Sequence, residues 1–438
     1  MKSGDVNIIV QNLIDFVGKI SDGTKPLSPS IYMAPNTLRD LSPSSFKPRV
    51  VSIGPLHRKD EKLQRFERKK AIYGRRLWGG SKSPYNDLGE TLTQMTLTTC
   101  VQKVVASIEK IKGCYADNDI KGYGDMELAQ MMVADASFII EFIREISEPD
   151  KFIWLDKYNI RYDLVLLENQ IPFFVLHDIF ECTISQFEEG LSLTQFIRPL
   201  VKYLNLLQGT RKFDISNSYS EYDHVLGYLH ACYKPKVDIP SYFPSSTIHS
   251  AVELDRAGVK FRPNKDANYK WPLAISMKTY RRSCTFCCLC RPTLRMPKLH
   301  INHFTELVLR NLIAYEQLSA DYPYVMSYAR AMDMLIDTHE DVAKLVRSKV
   351  VVNHLGSNEE AADMINRICK EVVCENFFYG KQWKKMDRHF NDYWPKKIVN
   401  LRRTYFSSPW SIIALFAGFV LFALTVVQTI FSVKSAGK

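Results

Sequence analysis

The sequence predicts a mainly α-helical fold: a multi-helix globular body with a small antiparallel β-sheet and one C-terminal transmembrane helix. Three observations carry that class. Apolar residues recur at three- and four-residue steps through much of the chain, the pattern of helices with one buried face. Short strand-like runs broken by Gly and Pro gather at about 259–301. The stretch 404–433 holds no charged residue. With 438 residues the chain can bury a substantial core, which excludes a disulfide-stapled miniprotein. Its 46% hydrophobic and 24% charged residues exclude a disordered or multi-span protein. The chain divides into an N-terminal amphipathic helix with its connector (1–30), a globular domain (31–403), a membrane anchor (404–433) and a short tail (434–438).

The elements follow in order. Val6, Ile9, Val10, Leu13, Phe16, Val17 and Ile20 fall at three- and four-residue steps and make a first, amphipathic helix. Its polar side lacks the basic stripe of a lipid binder, so it is expected to dock on the protein's own core. Polar residues from Asp5 to Asp15 interrupt any run of signal-peptide length, so no secretory leader is expected. Residues 50–53 form a strand-like run ended by Gly54-Pro55, and 60–77 a charged helix facing solvent. A Gly/Ser/Pro loop at 79–85 precedes helices over 97–112 and 126–145, the second with a wide apolar face. Pro172 does not continue a helix from before it, so one helix ends near Gln170 and the next begins at Pro172. The polar, turn-rich 208–245 is expected to be a long surface connection. Ser250 and Glu253 make a capping box, Gly258 stops that helix, and 259–262 reads as a strand. Two or three further strands lie in 271–301, broken by Pro292 and Pro297. Helices return over 305–317, 324–347 and 358–374, the last started by Ser357 with Glu360.

Residues 412–431 are apolar apart from Gly418, Thr425, Gln428 and Thr429. At about 1.5 Å per residue they match the roughly 30 Å of bilayer hydrocarbon. The expected anchor is formed by Trp410, Ile412, Phe416, Phe419, Leu421, Phe422, Val426, Ile430 and Phe431. Ahead of it, 381–403 carries eight Lys and Arg against Asp387 and Asp392, whereas the tail has only Lys434 and Lys438. The positive-inside rule then puts the large N-terminal part in the cytoplasm. Most of the net charge of +11 thus forms a collar facing anionic lipid headgroups near 381–403, and the nearly neutral remainder gives no reason to expect nucleic acid as a partner. The absence of any Asn-x-Ser/Thr acceptor and the crowding of Cys284, Cys287, Cys288 and Cys290 suit a reducing compartment.

Several stretches together resemble a plant family known as domain of unknown function 247. The likeness is carried by Ile31 to Leu77, especially Val51-Ser52-Ile53-Gly54-Pro55, and by Met131 to Phe142. It continues through Asp163 to Phe174 around Leu-Leu-Glu-Asn-Gln-Ile-Pro-Phe-Phe, then Ala251 to Phe261, Leu309 to Gln317, Met332 to Val342 and Val352 to Val373. It ends in Tyr405 to Val433, with Ser408-Pro409-Trp410 at the membrane entry. Members usually have Asp-Gly-Cys-Phe where this chain has Asp135-Ala136-Ser137-Phe138, and often a His pair before Gly where it has His57-Arg58-Lys59. The resemblance implies a single-pass protein held by its C-terminal helix, commonly at the plasma membrane, with no established enzymatic activity. Some grass members are associated with self-incompatibility.

Few residues invite chemistry. Cys284 and Cys287 have Cys-x-x-Cys spacing, and His300 with His303 could complete a zinc set. Strand alternation opposes this, because Cys287 would face away from Cys288 and Cys290, so no metal and no cofactor is expected. Glu168-Asn169-Gln170 between two apolar runs has two readings: a catalytic group, or caps and buried hydrogen bonds joining two helices. His57 beside Arg58 after a turn could meet an anion or sit in a solvated loop. Residues 337–341 most simply end one helix and cap the next. No phosphate loop, nucleophile elbow or His-Glu-x-x-His occurs. The leading expectation is a non-enzymatic protein that binds an unknown protein partner in recognition or signalling. The alternative is a membrane-associated enzyme with a site near His57 and Glu168.

Overall fold

The computed structural model describes residues 29–78, 90–147, 155–208, 222–235, 249–264, 271–278, 292–318, 323–374, 376–391 and 409–436. The expected first helix, the 79–85 loop and the four crowded cysteines lie outside these residues. Within them the fold is mainly helical with small sheets.

In the N-terminal half, α1 (Asn36–Leu41), α2 (Glu61–Gln64), α3 (Glu67–Leu77), α4 (Glu90–Ala106), α5 (Ile108–Gly113) and α6 (Asp117–Ile120) lead into the long α7 (Asp125–Ser147). Then come α8 (Leu155–Asp163), α9 (Phe173–Cys182), α10 (Leu193–Phe196) and α11 (Arg198–Leu204). Helix α7 is almost continuously buried from Leu128 to Ile143 because α3, α4, α9 and α11 pack around it. Phe138 shows how: its ring meets Phe66 and Tyr73 edge-on, at 5.5 and 5.1 Å, and stacks on Phe142.

The second half runs β1 (Leu207–Gln208), α12 (Val225–Ala231), α13 (Ala251–Arg256), β2 (Lys260–Pro263), β3 (Ser276–Lys278), β4 (Thr293–Met296) and β5 (Lys298–Ile301). It continues with α14 (Thr305–Leu318), α15 (Tyr324–Leu335), α16 (His339–Arg347), β6 (Val351–Asn353), α17 (Asn358–Ile368), α18 (Gly380–Asn391) and α19 (Pro409–Ala436). Helix α14 packs on α15 and α17, and α16 packs on α13 and α17.

The strands differ from the expected single antiparallel sheet. They form two three-stranded sheets, ordered β1-β5-β6 and β2-β4-β3, each with one parallel and one antiparallel pair. Only Pro297 separates β4 from β5, and a residue without an N–H cannot carry a ladder onward, so the two strands join different sheets. Residues 51–53 have no regular secondary structure and lie in neither sheet.

Other boundaries shift for local reasons. Helix α8 ends at Asp163, well before Gln170, whereas Pro172 does start α9, with φ −59° and ψ 138° at its N-cap. The stretch 324–347 is not one helix but α15 and α16, divided where residues 337–341 were expected to end one helix and cap the next, with a Thr338–Asp341 capping box at the start of α16. Ser250 and Glu253 cap α13 as the sequence suggests, and Gly258 stops it with φ +91°. The expected surface connection 208–245 contains the buried α12. The expected solvent-facing helix 60–77 is two helices, and its inner face carries a fully buried Lys70.

The expected transmembrane helix is not supported: among the described residues, no helix is long and apolar enough to cross a membrane. Helix α19 forms where the anchor was placed.

Candidate functional site

Where α8 ends, the chain wraps through 164–170 and turns polar side chains onto segment 49–54. Asp163 accepts from the N–H groups of Arg49, Val50 and Val51 at 2.8–3.0 Å. Asn169 Oδ1 accepts from Ile53 N at 2.7 Å, while its Nδ2 donates to the carbonyls of Val51 and Asp163. Asp135 of α7 accepts from Gly54 N. Gln170 Nε2 closes the wrap itself by donating to the carbonyls of Leu164 and Leu166, and its Oε1 accepts from Leu226 N. Three side chains thus supply what a neighbouring strand's backbone would otherwise give, which is why this segment needs no sheet. Gly54 fits because its φ is +71° and a Cβ there would lie 2.4 Å from the Gln170 carbonyl oxygen. Burial pushes the Asp163 carboxyl up to about 6 against the pull of its three backbone donors. Burial likewise raises Asp135, opposed by the Lys70 ammonium that pairs with it at 2.5 Å.

His57 and Glu168 come together here. His57 Nε2 lies 2.9 Å from Glu168 Oε2, with His57 8% exposed and Glu168 fully buried. Glu168 Oε1 accepts from Ala34 N at 3.0 Å and faces Arg39 Nε at 3.1 Å. A carboxylate orienting an imidazole supplies two parts of a nucleophilic triad. The third is missing among the described residues, since no hydroxyl or thiol is hydrogen-bonded to His57. With both oxygens engaged, Glu168 ties three segments together.

A second pair was not legible beforehand. His230 Nε2 of α12 lies 2.8 Å from Glu316 Oε1 of α14, and Glu316 accepts from Val325 N and Met326 N at 2.8 and 2.7 Å. The carboxylate therefore caps the start of α15 from a neighbouring helix. Tyr324 Oη meets His230 Nδ1 at 2.8 Å and donates to the His230 carbonyl at 2.9 Å. The usable sequence signal was an acidic residue inside the apolar stretch 312–318. Lys70 had one as well: it falls in step with Phe66, Tyr73 and Leu77 on one helix face.

The remaining candidates stay apart. His300 Nδ1 lies 3.1 Å from His354 Nε2, and His303 is exposed. Cys284 and Cys287 lie outside the described residues, within which no group of three or more His, Cys, Asp or Glu is placed to hold a metal. Of the expected anchor residues, Trp410, Phe416, Phe419, Leu421, Phe422, Val426 and Ile430 are exposed along α19, and nothing is described for the side chains of Ile412 and Phe431. Open clefts of about 330 and 640 Å³ lie elsewhere, one beside Tyr73, Arg76 and Glu145 and one beside Glu253, Asp337 and Glu340.

Comparison with known proteins gives a consistent answer. A putative UPF0481 protein of Arabidopsis thaliana is 26% identical over 500 residues, covering 91% of this chain and 89% of its own. Another UPF0481 protein of the same plant is 27% identical over 437 residues, covering 92% and 86%. No solved structure matches the chain. The expectations of membrane anchoring and of a self-incompatibility role find no support in these relatives. The model of the family described as plant protein of unknown function, DUF247, matches residues 31–424, and the chain belongs to that family.

Proposed function

We propose that the chain works by binding another protein, as a recognition or signalling component, and not by turnover. One observation carries this: in both His–carboxylate pairs the carboxylate is committed to backbone N–H groups of another segment, Ala34 for Glu168 and Val325 with Met326 for Glu316. Groups so held build a rigid body and have no free valence for acid–base work. On this proposal its setting is a reducing, cytoplasmic one, in keeping with free thiols at all six described cysteines. The test starts from a partner found by proximity labelling in plant cells and rebuilt from purified components. It should bind the wild type and His57→Gln equally. A turnover activity that His57→Gln abolishes while folding is unchanged would overturn the proposal.

A second contact is favoured by α18, where Trp383 and Met386 face inward while Lys381, Lys384, Lys385 and Arg388 are exposed. Such a face suits anionic lipid headgroups. Flotation with phosphatidylserine vesicles should show binding that salt weakens, and absent or salt-insensitive binding counts against it.

A further inference from the structure

Helix α3 turns a mixed face toward solvent. Phe66 at its N-cap, then Lys69, Ile72, Tyr73 and Arg76, follow the helical repeat and lie along one side. That side is one wall of the open cleft of about 330 Å³, and Glu145 of α7 with Asp156, Lys157 and Ile160 of α8 make the other. The volume falls at the lower end of the range of small-molecule sites. Phe66 and Ile160 are buried, Tyr73 is half-buried, and Ile72 is 52% exposed, so the cleft has an apolar floor and one accessible apolar side chain.

The charges lining the cleft do not balance. Lys157 Nζ pairs with Glu145 Oε1 at 2.8 Å, and Tyr73 Oη donates to Glu145 Oε2 at 2.5 Å, so both oxygens of that carboxylate are taken. Burial raises the Glu145 carboxyl, but its bonds from Lys157 and Tyr73 outweigh burial and hold it below its usual value, so it stays ionised. Lys69 Nζ pairs with Asp156 Oδ2 at 3.1 Å. Arg76 has no carboxylate within ion-pair distance among the described residues, and its guanidinium lies over the Tyr73 ring, 5.5 Å from the centroid. Three cations against two carboxylates leave one positive charge uncompensated, half-buried beside an aromatic ring and an exposed isoleucine.

We propose that this cleft binds a small carboxylic acid with an apolar body, its carboxylate on Arg76 and its body against Ile72, Phe66 and Ile160. A guanidinium presents a planar fork of N–H donors that matches the two oxygens of a carboxylate. Ile72 and Arg76 are four residues apart on α3, neighbours about 5–6 Å from one another, so one short molecule can touch both. A single free charge suits a monoanion. A phosphate dianion would bring a second negative charge up to Glu145 and Asp156, whose cations are already engaged. The site is separate from both His–carboxylate pairs and uses none of the groups they commit to backbone.

The test titrates the full chain with hydrocinnamate and with isocaproate, followed by saturation-transfer NMR and calorimetry. Wild type should bind at least one of the two saturably. Arg76→Gln should weaken that binding about tenfold or more, the loss of one charge-assisted contact, whereas Arg75→Gln, whose side chain is exposed and outside the cleft, should leave it unchanged. Ile72→Gln should weaken it severalfold. Hydrocinnamamide, the same body without the charge, should bind about tenfold or more weakly than hydrocinnamate. Circular dichroism and the melting temperature of each ligand-free variant check that the fold is kept. No saturable binding of either acid, binding undiminished in Arg76→Gln, or an amide that binds as well as the acid overturns the proposal. Phenyl phosphate binding more tightly than hydrocinnamate overturns the assignment to a carboxylate.

Discussion

Replacing Asn169 by Ala tests the side-chain pin on segment 49–54 most directly. The side chain is fully buried and makes three bonds, accepting from Ile53 N at 2.7 Å and donating to Val51 O at 3.1 Å and Asp163 O at 2.9 Å. In the variant the Asp163 carbonyl keeps a 3.4 Å contact from Leu166 N–H, but Ile53 N–H and Val51 C=O lose their partner. Two orphaned buried backbone groups at about 1–3 kcal/mol each give a destabilisation of about 4 kcal/mol. That is a large fraction of the roughly 5–15 kcal/mol that holds a domain folded. Urea unfolding followed by circular dichroism measures the loss. Thr98→Ala on the exposed face of α4 serves as a control, with an expected change within about 0.5 kcal/mol. Hydrogen exchange supplies the second readout, because the Ile53 amide should lose protection before amides of α7 do. A midpoint shift no larger than that of Thr98→Ala, or an Ile53 amide still protected in the variant, would refute the reasoning.

Three further outcomes follow from the same packing. His224 caps α12 as a neutral ring, its Nδ1 accepting from Gly227 N while Nε2 donates to Ser30 O, and burial draws it down to about 4 from 6.5. The unfolded chain binds the extra proton between those values, so stability is fully present above about pH 6.5 and declines by about 3 kcal/mol as pH falls to 4. His224→Asn, which can still cap, should flatten that part of the pH–stability curve. Lys70→Met leaves Asp135 buried without its cation and should lose about 3–5 kcal/mol in denaturant titration, most of it regained in Lys70→Met/Asp135→Asn. Gly54→Ala, strained at φ +71° and pressed on the Gln170 carbonyl, should lower the melting temperature by several times the change seen in Gly124→Ala, which has nothing within 4 Å.

Much of the helical framework was legible because its signals are local. The apolar face of α7, the capping boxes of α13 and α16, and Ser357 with Glu360 ahead of α17 all lie within a few residues of what they control. The buried polar network was half legible. Glu168-Asn169-Gln170 stood out as polar residues between apolar runs, and structural hydrogen bonding was one of its two readings. What they bond to was not readable, because Ala34, Ile53 and Leu226 are set by tertiary packing. Residues 50–53 carried a strand's composition without a strand's neighbour. Sheet pairing failed for the same reason, since β6 reaches β5 only after three intervening helices.

The pinned segment also sets a timetable for the nascent chain. Residues 49–54 are made early, but the groups that hold them arrive only with Asp135, Asp163 and Asn169. The Ser45 carbonyl waits longer, for Asn311, which lies 266 residues downstream and also fixes Leu167 N. At about 5–20 residues per second, synthesis alone separates Ser45 from its partner by tens of seconds. Until Asp163 and Asn169 emerge, the apolar residues Val51 and Ile53 have no final place, and a ribosome-associated holdase would find them exposed.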